Sequence, residues 1–557
     1  MNLKPLLAKQ LSPLHQITSI NELEINPTSA LVGQNRLLSA FQLFQKSNCQ
    51  QLYIADQSGI HRQGIINGLH HIHVNTNDTE TSQEGPIYLH GSIKRQQLLG
   101  HIDSQQQYQS GVLDHPGIVY ICAESLWKRE ALWELLFQIL EDQHYQVTSQ
   151  GAPRPLRCKI VLIGPSQLYS LAFMEERLFQ QHFALLGEMV NEVAISSLQP
   201  DIDPSASLSC DLAQYCQWLR YIAKSADLEL SIEAIKRLLT FSSKQAEHQQ
   251  HLTLLTVPIS QLLHQASIHS DSPLITATAI DTALNAIEFR HNASKQLSAQ
   301  NFDEKFISLL TEGAVVGQIN GLTVIDMAEY SYGEPARITA SVHYGDGEVA
   351  DIERKSELAG NIHAKGMMIL SSCLYRIFGK DAPLHLNANI VFEQSYQEID
   401  GDSASLAEYC ALISAITDKA IDQGIAATGA IDQFGNIQAI GGVNEKIEGF
   451  FDLCKRRGLT GQQGVIIPVA NVQQLNLKPE VIDAVSNNQF HIYEVAHIDQ
   501  AVERLINIEA GQCDENNQFP DDTLYGLVQS RLEALAGYQE DEPSFFERLL
   551  DKLKISS

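Results

Sequence analysis

Three continuous apolar runs, "QLYIAD" at 51–56, "GIVYICA" at 117–123 and "KIVLIG" at 159–164, constrain this chain most. Each is short and β-rich, and a strand apolar on both sides needs cover on both sides. Stretches such as "SLWKREALWELLFQIL" at 125–140 lie between them with the period of an amphipathic helix. Buried strands alternating with helices predict a doubly wound α/β sheet over 29–204, after an N-terminal segment at 1–28. The polar stretch "HVNTNDTETSQEGP" at 73–86 is expected to be a surface loop.

The strand signal then stops. Residues 205–304 carry helical periodicity and predict a helical module. From 305 to 508, glycine turns separate alternating β-like segments such as "EGAVVGQINGLTVID" and "ARITASVHYGDGEVADIE", followed by helix, hairpin, helix and strand. That pattern predicts an α+β domain. Residues 509–557 are expected to form an acidic tail with "CDENNQFPDD" loose and a short amphipathic helix in "PSFFERLLDKLKISS". A length of 557 residues exceeds what one core supports, so the chain is multidomain, α/β plus α+β.

A net charge of −28 opposes phosphate attraction and argues against a nucleic-acid partner. Nine scattered cysteines without a C-x-x-C pair suggest reduced thiols, neither a disulfide framework nor a zinc site. "HHIH" at 70–73 has no acidic or cysteine partner at ligand spacing, so no metal site is expected. The N-terminal "MNLKPLLAKQLSPLHQ" lacks a signal peptide's apolar core, and no stretch of about 18 uncharged apolar residues appears. No membrane partner is expected, and the cytoplasm is the expected compartment.

The stretch "QEIDGDSASLAEYC" at 397–410 sets Ser403 among carboxylates at the start of an apolar run. As a helix start, Ser405 and Glu408 have capping-box spacing, and Leu406, Tyr409, Cys410, Ile413 and Ile416 trace one helical face. As a nucleophile, Ser403 needs a base, and no histidine lies within the stretch. Downstream, "GGVNEKIEGFFDLCKRRGL" puts Lys446 beside an apolar stripe of Val443, Ile447, Phe450, Phe451 and Cys454. Such a lysine either lays its stem on apolar surface with the amine in water, or is buried and deprotonates readily. Both alternatives stand on the spacing alone.

The segments "FEQSYQEIDGDSASLAEYCALISAI" and "ATGAIDQFGNIQAIGGVNEKIEGFFDLCKRRGLTGQQGVIIP" resemble the peptidase domain of the Lon family, particularly its archaeal-type branch and bacterial relatives. The resemblance extends to "VVGQINGLTVIDMAEYSYGEPARITASV" and "ELAGNIHAKGMMILS". It implies Ser403 as nucleophile and Lys446 as general base, a serine–lysine dyad. It also implies a supporting role for Thr428 beside the lysine and for Asp400 and Asp402 flanking the serine. Backbone N–H groups near Ser403 are expected to hold the oxyanion.

Lon proteins couple this domain to an AAA+ ATPase, and the first half has that outline. Where the phosphate loop should read G-x-x-x-x-G-K-[ST], the chain reads "DQSGIHRQG". His61 replaces a glycine, Arg62 the lysine and Gln63 the magnesium-binding hydroxyl. In "GIVYICAES", Cys122 and Ala123 stand where an acidic pair is expected, leaving a displaced Glu124. Ser166 takes the place of a sensor asparagine; Arg177 and Arg290 match the arginine finger and lid arginine only as single residues. ATP and magnesium, implied by the family, are therefore not expected to be required. The leading expectation is a Lon-like serine endopeptidase acting on unfolded or loosely folded polypeptides without ATP hydrolysis. By resemblance it forms a homo-oligomeric, hexameric ring. Conventional ATP-dependent proteolysis and a non-catalytic ring-forming scaffold or adaptor are the alternatives.

Overall fold

The computed structural model describes residues 3–13, 25–47, 50–77, 85–195, 209–327, 330–345, 349–352, 360–379, 384, 386–394 and 399–540. The chain divides into two compact units, His15–Ala286 and Met1–Leu14 with Ile287–Ser557. The alternation of strand and helix is clearest in the first: α1 (Asn35–Lys46), β1 (Leu52–Asp56), α2 (Arg62–Asn77), β2 (Ile87–Leu89), β3 (Gly117–Cys122), α3 (Glu130–Asp142), β4 (Cys158–Pro165) and β5 (Leu185–Glu188).

 Their five strands are all parallel, in the order β2-β3-β4-β1-β5. Alternate residues of each run face opposite layers. Tyr53, Val119, Ile121 and Leu162 pack with Trp133 and Phe137 of α3, while Ile54, Tyr120, Val161 and Ile163 pack with Phe41 of α1 and Ile66 and Leu69 of α2.

Two local expectations change. The polar stretch at 73–86 begins inside α2, which runs through Asn77 because its polar side chains bond within the helix. Thr76 Oγ1 donates to the Ile72 carbonyl at 2.7 Å, and Asn75 meets His71 four positions back. The helical stretch at 125–140 is split between a short helix, Ala123–Trp127, and α3. Beyond the sheet come α4 (Leu212–Lys224), α5 (Ile232–Gln245), α6 (Thr256–Ile268) and α7 (Ala277–His291). Ser231 caps α5 by accepting from Ala234 N–H at 3.1 Å. The helical module is not wholly free of strand, since Glu229–Leu230 pairs with Leu274–Ile275.

The other unit contains α8 (Ala293–Asp303), β6 (Gln318–Met327), β7 (Tyr330–Tyr344), β8 (Val349–Asp351), α9 (Asn361–Phe378), β9 (Leu386–Glu393), α10 (Ser405–Thr417) and β10 (Ile425–Ala427). It continues with β11 (Ala430–Ile431), β12 (Ile437–Gln438), α11 (Val443–Arg457), β13 (Gly464–Pro468), β14 (His491–Val495), α12 (Ile498–Ile506) and α13 (Leu524–Glu540). Seven strands form one mixed sheet, β8-β9-β7-β6-β10-β13-β14. Strand alternation again sorts the two faces. Ile425 and Ala427 pack with α10, whereas Ala426 packs with Val443, Ile447, Phe450 and Phe451 of α11. Helices α10 and α11 therefore cover opposite faces of the sheet.

Both ends of the chain add to this unit. Leu6 and Leu11 are buried on the α11 side, with Leu6 N–H donating to the Ile492 carbonyl at 2.8 Å. In the region expected to be a loose acidic tail, α13 buries Leu524, Tyr525, Val528 and Leu535 against the α10 side of the core. The terminal "PSFFERLLDKLKISS" lies outside the described residues.

Candidate active site

The turn before α10 is shaped by Gly401, whose φ of +109° lies in the region that favours glycine. Asp402 then accepts, through its carbonyl, from Ser405 N–H at 3.1 Å and Ser405 Oγ at 2.8 Å. The expected capping box between Ser405 and Glu408 does not form, because a tertiary partner claims the hydroxyl: Ile431 N–H donates to Ser405 Oγ at 3.0 Å. The Ser403 carbonyl accepts from Gly429 N–H at 2.8 Å and from Thr428 Oγ1 at 3.2 Å. Ser403 is thus pinned, through its own backbone, to the end of β10.

Lys446 reaches the same place from the other face of the sheet. It lies in the second turn of α11 and is only 3% exposed. Its Nζ lies 2.8 Å from Ser403 Oγ and 3.3 Å from Thr428 Oγ1. Burial lowers its pKa from 10.5 to about 8, against the opposing pull of the Asp402 charge. The side chain therefore does not keep its amine in water. Among the described residues, the backbone N–H groups of Asp402, Ser403 and Ala404 have no acceptor, which leaves donors beside the hydroxyl for a developing negative charge.

The two carboxylates divide their roles. Asp402 acts electrostatically on Lys446. Asp400 instead accepts from Ile362 N–H at 3.2 Å, at the first turn of α9. It offsets a helix dipole, but that of a different helix from the one its sequence position suggests. Gly360 permits this approach, since a Cβ there would overlap the Asp400 carboxylate.

One buried pair escaped notice in the sequence. His363 Nε2 on α9 lies 3.7 Å from Glu408 Oε1 on α10, with both side chains 2% exposed. The available signal was the apolar character of α10 on all sides, because an ionisable residue inside such a helix needs a partner.

At the degenerate phosphate loop, Arg62 opens α2 but turns away from the space before it. Its Nε is 2.6 Å from Asp56 Oδ2 and its Nη2 is 2.7 Å from Glu124 Oε1, while Nη1 donates to Cys122 Sγ at 3.2 Å. Asp56 ends β1 and Glu124 lies in the short helix that follows β3, at the C-terminal edge of the sheet where open parallel sheets usually receive ligands. Burial alone would raise the Glu124 pKa, but the Arg62 hydrogen bond and charge, its own backbone N–H and the Cys122 thiol together hold the carboxyl below its ordinary value. His61 and Gln63 line a separate cavity of about 250 Å³ with Asn67, Trp218 and Tyr221. Ala123 is buried at the start of its short helix, and Ser166 and Arg177 are exposed at helix starts. Arg290 is exposed in the last turn of α7, in the unit that also holds Ser403. His70, His71 and His73 lie on α2, and among the described residues no group of three or more His, Cys, Asp or Glu is placed to hold a metal. No described helix is long and apolar enough to cross a membrane.

A buried amine beside a serine hydroxyl, with free N–H donors next to it, has the chemical form of a nucleophile-and-base site. Residues 312–507 match the Lon protease (S16) C-terminal proteolytic domain, and residues 229–290 match the archaeal LonB AAA+ ATPase lid domain. A Lon protease homolog from Haemophilus influenzae is 37% identical over 443 residues, covering 75% of this chain and 70% of the relative. A second from Escherichia coli is 34% identical over 474 residues, covering 81% and 77%. An archaeal Lon protease from Archaeoglobus fulgidus is 25% identical over 411 residues, covering 70% and 61%. The chain belongs to the Lon protease family.

Proposed function

We propose that this chain is a serine endopeptidase that cleaves unfolded or loosely folded polypeptides with Ser403 and Lys446 and without ATP hydrolysis. The observation that carries the proposal is the 2.8 Å approach of a buried, pKa-lowered lysine amine to the serine hydroxyl. Neutral Lys446 takes the Ser403 proton as Oγ attacks the scissile carbonyl carbon. The oxyanion falls to the N–H groups at 402–404. Collapse of the tetrahedral adduct breaks the C–N bond, and the lysine ammonium gives its proton to the leaving amine. Water then attacks the acyl-enzyme, with Lys446 again accepting a proton and returning it to Ser403. Thr428 orients the amine.

The Arg62 bridge supports independence from ATP. The cation that would meet phosphate is committed to two carboxylates, and Gln63 is a poor magnesium ligand. Nucleotide and magnesium would have to break those ion pairs to use this site. The first unit then serves assembly and substrate entry in a homo-oligomeric ring in the cytoplasm. The test is digestion of unfolded casein by the full chain with and without magnesium-ATP. Equal rates are expected, with both lost in Ser403→Ala and Lys446→Ala. Cleavage that survives Ser403→Ala ends the proposal, and strong ATP stimulation ends its nucleotide-independent part.

A further inference from the structure

Along one side of helix α11 the backbone meets strand β7 without an intervening side chain. Gly442, Glu445, Lys446 and Gly449 recur at three- and four-residue spacing, so they share one side of the helix. A Cβ on Gly333 of β7 would overlap the Glu445 carbonyl oxygen and lie 2.7 Å from Lys446 Cα. A Cβ on Gly449 would overlap the Gly333 carbonyl and lie 3.0 Å from Gly333 Cα. One on Gly442 would lie 2.5 Å from Cγ2 of Val324, the residue paired with Gly333 across β6 and β7. The first two turns of α11 therefore press on one rung of the sheet, backbone to backbone at Gly333 and against the Val324 side chain at Gly442. Neither Gly333 nor Gly449 has a positive φ, so space rather than conformation requires glycine there.

We propose that Gly333 and Gly449 are positioning residues whose side-chain-free contact sets how far the Lys446 amine reaches toward Ser403. This rests on the serine–lysine mechanism above. Ordinary heavy-atom contact is about 3.5 Å, so a methyl group at either site must lift α11 by roughly 1 Å. The Nζ–Oγ hydrogen bond at 2.8 Å does not survive such a displacement without a change of rotamer. Water gains access to the amine at the same time. The charged groups on elements around Lys446 include Asp402 before α10, Glu445, Glu448 and Asp452 on α11, Glu334 and Arg337 on β7 and Asp326 on β6. Of these, Asp402 is the one whose charge acts on the amine.

Gly449→Ala is the deciding variant. Alanine is favoured over glycine inside a helix, so the substitution does not weaken α11 itself. With a fluorogenic peptide, kcat is expected to fall about 100-fold, as for a 1 Å misplacement, with KM unchanged. The acidic limb of the kcat–pH profile should move up from about 8 toward 10.5 as the amine gains water. Gly333→Ala should act in the same direction. The double variant should cost no more than the worse single one, because both break one contact. Gly464→Ala is the control: its Cβ would lie 2.5 Å from the His491 carbonyl oxygen, between β13 and β14. It should lower the melting temperature without moving the limb.

A folded Gly449→Ala with wild-type kcat and an unmoved limb overturns the proposal, as does an equal shift in Gly464→Ala. If Gly333→Ala fails to fold, Gly449→Ala decides. NMR titration of ¹³C-labelled lysine follows Lys446 without turnover. Should the wild type cleave nothing, the proposed function fails. The titration still supports the positioning role if Lys446 titrates near 8 and rises in Gly449→Ala, and overturns it if both titrate alike.

Discussion

The Asp402 carboxylate pulls the Lys446 amine toward its charged form while burial pushes it toward the neutral one, and burial wins. The balance leaves Lys446 with a pKa of about 8, so about a tenth of the amine is neutral at pH 7. Only that neutral form accepts the Ser403 proton. The kcat should rise about tenfold per pH unit below 8 and level off above it. Asp402→Asn removes the influence that raises the pKa, so the limb should move to lower pH. Steady-state kinetics between pH 5 and 10 measure both limbs. A limb that moves upward in the variant contradicts this balance.

Thr428 makes a separate contribution. Its fully buried hydroxyl donates to the Ser403 carbonyl and accepts from Lys446 Nζ. Thr428→Val keeps the shape and leaves the amine with one acceptor fewer. Loss of a hydrogen bond to a charged group costs about 1.5–3 kcal/mol, or roughly tenfold to a hundredfold in kcat. KM should change little, since Thr428 is placed to touch the base rather than the peptide. Full activity in Thr428→Val would remove it from the mechanism.

Much of this arrangement was legible in the chain. The strands around Tyr53, Tyr120 and Leu162 announced themselves because residues buried on both sides of a sheet leave continuous apolar runs. Lys446 stood out beside an apolar stripe, but spacing left its amine's position open. Ser405 shows why local signals mislead: Ile431, 26 residues away, takes the hydroxyl that a capping box would use. The Gly333–Gly449 contact joins residues 116 positions apart, so no local period carries it. Helix α13 was hidden by polar flanks, and only its tertiary partner α10 shows which of its residues are buried.

That partnership makes α13 a structural requirement of the Ser403 unit. Leu524 is fully buried, and Tyr525 Oη lies 3.3 Å from Tyr409 Oη on α10 while donating to Asp499 Oδ1 at 2.6 Å. Leu524→Ala should destabilise the unit by about 2–5 kcal/mol through lost transfer energy and a cavity. Calorimetry of the full chain should show a lowered transition. Tyr525→Phe should cost less, about 1–3 kcal/mol, because it removes one buried hydroxyl and keeps the ring. An unchanged transition in Leu524→Ala would contradict the packing of α13.

Arg62 offers the sharpest test of the other unit. In the wild type its guanidinium lies between Asp56, whose side chain is 7% exposed, and the half-buried Glu124. Arg62→Ala leaves the two carboxylates together without a cation, and with Glu124 36% exposed the cost falls below the roughly 3–5 kcal/mol of breaking a fully buried pair. Glu124 has its pKa lowered in the wild type, so its share of the stability is present above the ordinary carboxylate pKa and is lost as pH falls through the lowered one. In the variant, burial and the neighbouring carboxylate raise the pKa instead. The deficit of Arg62→Ala should therefore be largest near pH 7 and shrink toward pH 4, as protonation removes the repulsion. Melting curves at the two pH values measure it, with magnesium-ATP added in parallel. The wild type should show no nucleotide-dependent shift, because its phosphate-facing cation is already neutralised from within. A clear rise in melting temperature with magnesium-ATP, lost in Arg62→Ala, would mean that the bridge opens to admit phosphate and that the first unit retains a working nucleotide site.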